Sequence, residues 1–524
     1  MGKITLLDTT LRDGAQSAAV SLSPEDKRAI ALVLDGLGLD YIEAGYPKAA
    51  DSDADAAFFR AMPALRRAKP AAFGATRRKD REARSDEGLR ALAASGAPVA
   101  VIFGKAWLLH VTDVLGCGPD ENLLMIEESV RFLKERGLEV IFDAEHFFDG
   151  WNRDQVYALA ALEAAKSGGA DILCLCDTRG GVLPDEAHET VEEVRKRINA
   201  PLGIHAHNDA GMAAAVSVMA VLAGCTHVQG TLCGFGERCG NADLVSVAVA
   251  LQAKRGYQCL PAESLPKLTH AARRVAELCN LALPQNQPYV GSSAFAHKAG
   301  MHIDGVMKNP ETFEHIAPET VGNARRLMIT DHSGRAQVLP ILRRVKPDAE
   351  KDGAEMERVL DALRRRQSHG YEAAEASFEL MIRDLLGAYE PAFTLVDYTV
   401  SSAGGETSPG ECARAVIKVS VRGEDALAAG EGDGPVNALD TALRTALEPF
   451  YPKLRDMRLL DYKVRVLNPP AASAATVRVL IASTDGTRDW RTLGVSADII
   501  SASWQALYDS IRYYLGGFHN QEGR

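Results

Sequence analysis

An excess of positive charge is the first thing this 524-residue chain lacks. Lysine and arginine number 59 against 70 aspartate and glutamate, a formal net charge of −11. That balance argues against a nucleic-acid partner. It leaves anionic small molecules open, because they need only local positive charge. No apolar run reaches the length of a membrane span. Paired CxxC sets are missing as well: nine cysteines are scattered through the chain, the pattern of reduced thiols in a cytoplasm. The chain enters a strand-like run at Ile4–Leu7, so no charged-then-apolar leader is expected. What is present is an apolar fraction of 46% and a charged fraction of 25%, the composition of a soluble globular enzyme. The length is too great for one ordinary core and predicts two or three domains.

The first half repeats one unit, a short β-branched run followed by a helical pattern. Candidate strands are Ile4–Thr10, Tyr41–Gly45, Ala71–Thr76, Val99–Gly104, Val140–Glu145, Ile172–Asp177, Gly203–His207 and Val228–Leu232. Helices are read after them; Ser23-Pro24-Glu25-Asp26 opens one with a cap, a proline and acidic first-turn residues. Eight such units match a (β/α)8 barrel in count and length. A doubly wound sheet would need a glycine-rich dinucleotide fingerprint after the first strand, and Asp8-Thr9-Thr10-Leu11-Arg12-Asp13-Gly14 is not one. In a barrel, functional groups belong at the C-terminal ends of strands. Polar residues cluster there: Arg12 and Asp13, Glu43, Asp143 and Glu145, Asp177 and Thr178, His205 and His207, and Glu237 to Asn241.

His205 and His207 stand at i and i+2, so on a strand they share a face. Two neutral imidazoles so placed can chelate one divalent cation; the other reading is two ordinary polar residues at a strand end. From about Pro284 the pattern changes. Tyr289–Asp304 is rich in Gly, Ser, Ala and His, and a charged helical stretch runs from Asp352 to Arg366. This predicts a small linking region without a compact core of its own. The tail from about Pro391 reads as α+β and internally repeated. Strands are expected at Phe393–Ser401, Ala413–Arg422, Tyr462–Leu467 and Val477–Ser483. Gly430–Pro435 is read as a loop leading to a helix through Leu447, and Leu493–Ser496 as the entry to one through Leu515. Two such halves point to a ligand-binding or dimer module, or else to a solubilising appendage. The expected domains are 1–275 (α/β, TIM barrel), 276–390 (small helical linker region) and 391–524 (α+β module).

Three motifs carry a family resemblance: Leu11-Arg12-Asp13-Gly14-Ala15-Gln16, His205-Ala206-His207-Asn208-Asp209, and Gly234-Phe235-Gly236-Glu237-Arg238-Cys239-Gly240-Asn241. Together they resemble the 2-isopropylmalate, homocitrate and citramalate synthases, metal-dependent TIM-barrel enzymes that condense acetyl-CoA with a 2-oxo acid. Ala294–Gly305 looks like the family's linker motif, and the tail like its allosteric domain. Phe103-Gly104-Lys105, Phe142–Gly150 and Gly432–Asn437 resemble most the branch that uses pyruvate and forms (R)-citramalate, an early step towards isoleucine. A hydroxymethylglutaryl-CoA-type lyase on the same barrel is the competing enzyme. A non-enzymic amino-acid sensor is the remaining alternative.

The resemblance implies Asp13, His205, His207 and Asn241 as ligands of a divalent cation, Mn²⁺, Mg²⁺ or Zn²⁺. It implies substrate contacts from Arg12, Thr178, Asp143 and Gln16, and catalytic roles for Arg12, Glu145 and His302. Arg12 either stabilises the growing oxyanion or forms a salt bridge to Glu43 or Asp8. Glu145 is an acid/base group or an arginine's partner. Thr178 binds the pyruvate carboxylate or caps a strand end. His302 resembles the linker histidine that helps enolise acetyl-CoA from the partner subunit of a homodimer. His297 contacts CoA or is structural. Where the family often has a tyrosine, this chain has Phe313, which cannot donate a hydrogen bond; the role is dispensable here, or His315 or a water fills it. Cys239 is expected as a buried small residue, Cys174 and Cys176 as barrel packing, and Glu237–Arg238 as a loop-fixing ion pair. Feedback by a branched-chain amino acid, isoleucine first, follows from the tail.

Overall fold

The computed structural model describes residues 2–47, 54–328, 334–367, 371, 374–403, 412–467, 475–486 and 488–518. It divides into two compact units, Met1–Phe295 with Ile316–Ala324, and Ala296–His315 with Arg325–Arg524.

In the first unit all eight expected strands form, with ends within two residues of the sequence reading. They are β1 (Thr5–Asp8), β2 (Tyr41–Gly45), β3 (Lys69–Ala75), β4 (Val99–Lys105), β5 (Glu139–Glu145), β6 (Ile172–Asp177), β7 (Leu202–Ala206) and β8 (His227–Gly230). They close in that order into a parallel barrel, β8 returning to β1 with Thr5 opposite His227 and Asp8 opposite Gly230. Alternation along each strand sends one set of side chains inward. Leu7, Val99, Val101, Ile141, Cys174 and Cys176 form the inner cluster, so the two cysteines pack the barrel as expected. The opposite set, including Leu6, Ile42, Ile102, Phe142, Leu173 and Ile204, packs under the helices. Local chemistry starts those helices where it should. Ser23 accepts from Asp26 N while the Asp26 side chain accepts from Ser23 N, a reciprocal cap ahead of Pro24–Leu37.

In the second unit a short strand pair, β9 (Ala296–His297) and β10 (Arg326–Leu327), stands near the helix Gly300–Lys308 in sequence. The expected coreless linker is corrected here. The helices Arg335–Val345, Ala354–Gln367 and Glu375–Leu386 bury Val338, Leu342, Met356, Leu360, Phe378 and Met381 in one cluster, joined by Leu493 from the tail. In the middle helix, Met356, Val359, Leu360 and Leu363 line a buried face at helical spacing. The high overall charge of that stretch hid this face from a composition reading.

The tail is two copies of one motif, three antiparallel strands and a helix. The first holds β11 (Thr394–Ala403), β12 (Cys412–Val421), β13 (Glu424–Gly432) and the helix Pro435–Leu447. The second holds β14 (Arg458–Val466), β15 (Val477–Thr484), β16 (Asp489–Ser496) and the helix Ile499–Leu515. The third strand of each copy falls where the sequence reading places a loop or a helix entry. Among the described residues no helix is long and apolar enough to cross a membrane.

Candidate active site

The functional groups gather at the C-terminal ends of the strands. After β1 the chain makes a tight turn: Asp8 accepts from Thr10 N at 2.8 Å and from Leu232 N at 2.9 Å, and Arg12 N and Gly14 N both bond Thr9 O. That turn brings Arg12 and Asp13 over the barrel mouth. His205 lies on β7 and His207 just beyond it, where His207 bridges to Asn241. Their Nε2 atoms lie 3.3 Å apart and each is 3.7 Å from Asp13 Oδ2. All three side chains are buried. Asn241 joins them, donating from Nδ2 to Asp13 Oδ1 at 3.0 Å and to Phe235 O at 3.3 Å. Gly236 makes this possible: it sits at φ 155°, and a Cβ there would fall 2.1 Å from Asn241 Nδ2.

These residues fit a divalent cation. One carboxylate oxygen and two imidazole nitrogens lie within 4.8 Å of one another. Asn241 Oδ1 is buried beside them without a hydrogen-bond partner, an unmet acceptor of the kind that needs explaining. Electrostatics favours the ligand forms. Burial opposes the charge on Asp13, but the Arg12 guanidinium, the two imidazoles and the Asn241 amide outweigh it and hold its carboxyl well below the usual range. Burial, with His207 alongside, pushes His205 down to about 3, and burial lowers His207 too. Both rings are therefore neutral at physiological pH, the state in which imidazole ligates.

Arg12 is fixed on three sides. Nε donates to Glu43 Oε2 at 2.6 Å, Nη1 donates to Asp13 Oδ2 at 2.9 Å, and the guanidinium lies 3.9 Å over the Phe73 ring. Of the two salt bridges anticipated for it, the one to Glu43 forms. Its charge is held strongly despite burial, because Glu43 and Asp13 face it. Phe73 also stacks on Phe103 and meets Tyr46 edge-on.

The other expected site residues take separate positions. Glu145, ending β5, is ion-paired with Lys105 at the end of β4, so its partner is a lysine and not an arginine. Thr178 Oγ1 accepts from the backbone N–H of His146 at 2.9 Å, pinning a residue held at φ 59°. Asp143 is buried, accepts from Gln229 Nε2 at 2.8 Å, and lies with Cys174 and Cys176 in a second close group. Burial, with Glu43 nearby, pushes its carboxyl up to about 8 against the Gln229 hydrogen bond and the Arg12 charge. Gln16 is exposed, and its backbone N–H bonds Asp13 O at 2.9 Å.

Two expectations change. Cys239 is exposed rather than buried, because the loop carrying it turns outward between Gly236 and Gly240. Arg238 is fixed chiefly by Asp209, through paired contacts of 2.8 and 2.9 Å; Glu237 stands 3.8 Å away. A planar guanidinium matches a carboxylate edge on, and Asp209 presents that edge. In the second unit His297 is structural in kind: its Nε2 bonds Glu314 Oε1 at 3.0 Å, and Glu314 is gripped by Arg325 at 2.7 and 2.6 Å. His302 is exposed on its helix and stacks on Phe313 at 4.2 Å.

The comparisons agree with this architecture. Residues 3–275 match the HMGL-like family, residues 289–369 the homocitrate synthase post-HMGL domain-like family, and residues 372–515 the LeuA allosteric (dimerisation) domain. The chain is thus an HMGL-like barrel enzyme carrying a LeuA-type domain. The (R)-citramalate synthase of Aquifex aeolicus is 48% identical over 98% of both chains. That of Geobacter sulfurreducens is 45% identical over 100% of this chain and 99% of its own. A probable 2-isopropylmalate synthase of Methanopyrus kandleri is 33% identical over 96% of this chain and 97% of its own. The chain belongs to the (R)-citramalate synthase family, and the HMGL-like family in general depends on a divalent cation.

Proposed function

We propose that this chain is an acyltransferase that condenses acetyl-CoA with pyruvate and water to give (R)-citramalate and CoA. The observation that carries the reading is the buried Asp13–His205–His207 group, set in a chain alike at full length to (R)-citramalate synthases. Asp13, His205, His207 and the free Asn241 Oδ1 would hold a divalent cation, Mn²⁺, Mg²⁺ or Zn²⁺. Bound there, it supplies Lewis-acid polarisation of a ketone. Arg12, already locked by Glu43, directs fixed positive charge at the oxygen that gains charge, without reorganisation during the reaction. The rings of Tyr46, Phe73 and Phe103 beside it supply apolar surface for the pyruvate methyl. Thr178 and Gln16 are assigned to the substrate carboxylate side, and Asp143 to the buried layer that supports it. Glu145, poised by Lys105, is assigned to proton transfer or orientation. His302 is assigned to removing the methyl proton of acetyl-CoA, as the resemblance implies, with Phe313 as an apolar face for its ring.

The organisation proposed is a catalytic barrel over 1–275, a linker over 276–390 and a regulatory domain over 391–524. It acts as a cytoplasmic homodimer inhibited by a branched-chain amino acid, isoleucine first. The LeuA-type match supports the dimer and the effector. Measuring CoA release with a panel of 2-oxo acids tests the whole reading. Pyruvate is expected to turn over fastest; faster turnover of 2-oxoisovalerate would transfer the chain to 2-isopropylmalate synthesis.

A further inference from the structure

Two buried atoms at the centre lack partners and belong to neighbouring residues. His205 Nδ1 and Gln229 Oε1 are both buried without a geometrically acceptable hydrogen bond. His205 on β7 and Gln229 on β8 are register partners, directly opposite each other in the barrel. Residues opposite one another share a face. The other nitrogen of His205, Nε2, points to Asp13 and His207. The other end of Gln229, Nε2, donates to Asp143 Oδ1 at 2.8 Å. With the amide nitrogen on the Asp143 side, the carbonyl oxygen is left for His205. A buried orphan donor beside a buried orphan acceptor is resolved most simply by the two meeting.

We infer that Gln229 is a positioning residue for the centre, accepting a hydrogen bond from His205 Nδ1–H while its own amide is held by Asp143. The chain of contacts runs Asp143, Gln229, His205, and it rests on the divalent-cation reading proposed above. Its effect is to put the neutral ring's proton on Nδ1, so that Nε2 keeps its lone pair and faces the centre. Outer partners of this kind orient a ligating imidazole and raise its basicity. Gln229 touches neither substrate nor cation; it acts only through His205.

The test is a Mn²⁺ titration of the metal-stripped full-length protein, followed by loss of the free-ion electron paramagnetic resonance signal. Circular dichroism establishes that each variant is folded. Gln229→Met keeps the chain length and removes both polar ends. It is expected to weaken Mn²⁺ binding by about 10–100-fold, the usual loss for an outer-partner change. The double variant Gln229→Glu/Asp143→Asn keeps an acceptor towards His205 and a donor from position 143. It is expected to bind within about threefold of the parent protein, well inside the loss for a removed partner. Unaltered binding by Gln229→Met overturns the inference. So does a folded double variant as weak as a His205→Ala control. If the parent protein binds no Mn²⁺, or Asp13→Ala leaves binding unchanged, the cation reading itself falls, a result distinguishable from the failure of Gln229 alone.

Discussion

In the barrel, Glu43, His207 and Asn241 each bury a polar atom that no described protein group satisfies, beside the His205 and Gln229 atoms assigned above to each other. In the tail, the buried polar groups are matched to one another. Ser483 pairs with Ser510 at 2.8 Å, Trp490 Nε1 donates to Ser510 at 2.9 Å, and Thr492 donates to Ala506 O at 2.7 Å. Among the described residues the two tail motifs add only Asp440 Oδ1 to the unmatched set. An unmatched buried polar atom costs about 1–3 kcal/mol, so a cluster of them persists where something other than packing selects it. The described core of the tail satisfies its own polar groups; the barrel mouth leaves some of its own open.

If that contrast is right, substitutions in the barrel should strike chemistry and those in the tail should strike stability. The largest effect is expected from Asp13→Asn. It leaves the shape intact but removes the carboxylate charge that the two imidazoles and Arg12 face. Cation affinity and CoA release should both fall by about a hundredfold or more, since a ligand matters at least as much as its outer partners. Retained activity in a metal-stripped preparation of this variant would break the comparison outright. Arg12→Met comes next. Loss of one preorganised donor typically costs about 3 kcal/mol, roughly a hundredfold in kcat. Its KM for pyruvate should rise less than kcat falls, which steady-state rates over a pyruvate range will show.

The tail prediction turns on Gly494. It lies on β16, where an added Cβ would sit 1.9 Å from Ala502 O of the adjoining helix. Gly494→Ala should destabilise by about 1–3 kcal/mol, the usual range for overpacking. Thermal unfolding would lose several degrees while kcat of the folded enzyme stays unchanged. A fall in kcat with no change in unfolding would reverse the roles assigned to the two regions.

That same glycine explains what the sequence withholds. Glycine weakens a strand signal, so Gly430–Pro435 and Leu493–Ser496 read as loops or helix entries. In the fold Gly430 and Gly494 are strand residues, kept bare so that a helix backbone can approach: a Cβ on Gly430 would lie 2.5 Å from Ala442 N. The barrel is legible for the opposite reason. Its strands are short, apolar and evenly spaced, and its polar residues stand at strand ends, where no packing role competes for them. Asp13, His205, His207 and Asn241 are legible as a group only through motif order, since residues 13 and 241 are far apart in the chain. Gln229 escapes a sequence reading because it belongs to none of the motifs, and its strand, His227-Val228-Gln229-Gly230, gives no sign of which polar residue faces His205. Its inward position beside His205 needs the register of β7 against β8. Lys105 stands within a motif, yet nothing in the motif marks it as the partner of Glu145, because β4–β5 pairing sets that contact.

The last expected effect sharpens the contrast through pH. Asp143 has a carboxyl pushed up to about 8 by burial, from an ordinary value of 3.8. Between those values the folded protein holds a proton that the unfolded chain has released. Stability therefore falls as pH rises through that window and levels off above about 8. Asp143→Asn cannot ionise and still offers an oxygen to Gln229, so it should remove this share of the slope. Thermal unfolding of metal-free protein at pH 5.5 and 8 measures it: the parent should lose more stability between the two than the variant. Equal losses would mean that Asp143 is charged in the fold, and that the Gln229 amide donor and the nearby Arg12 charge suffice to hold it there.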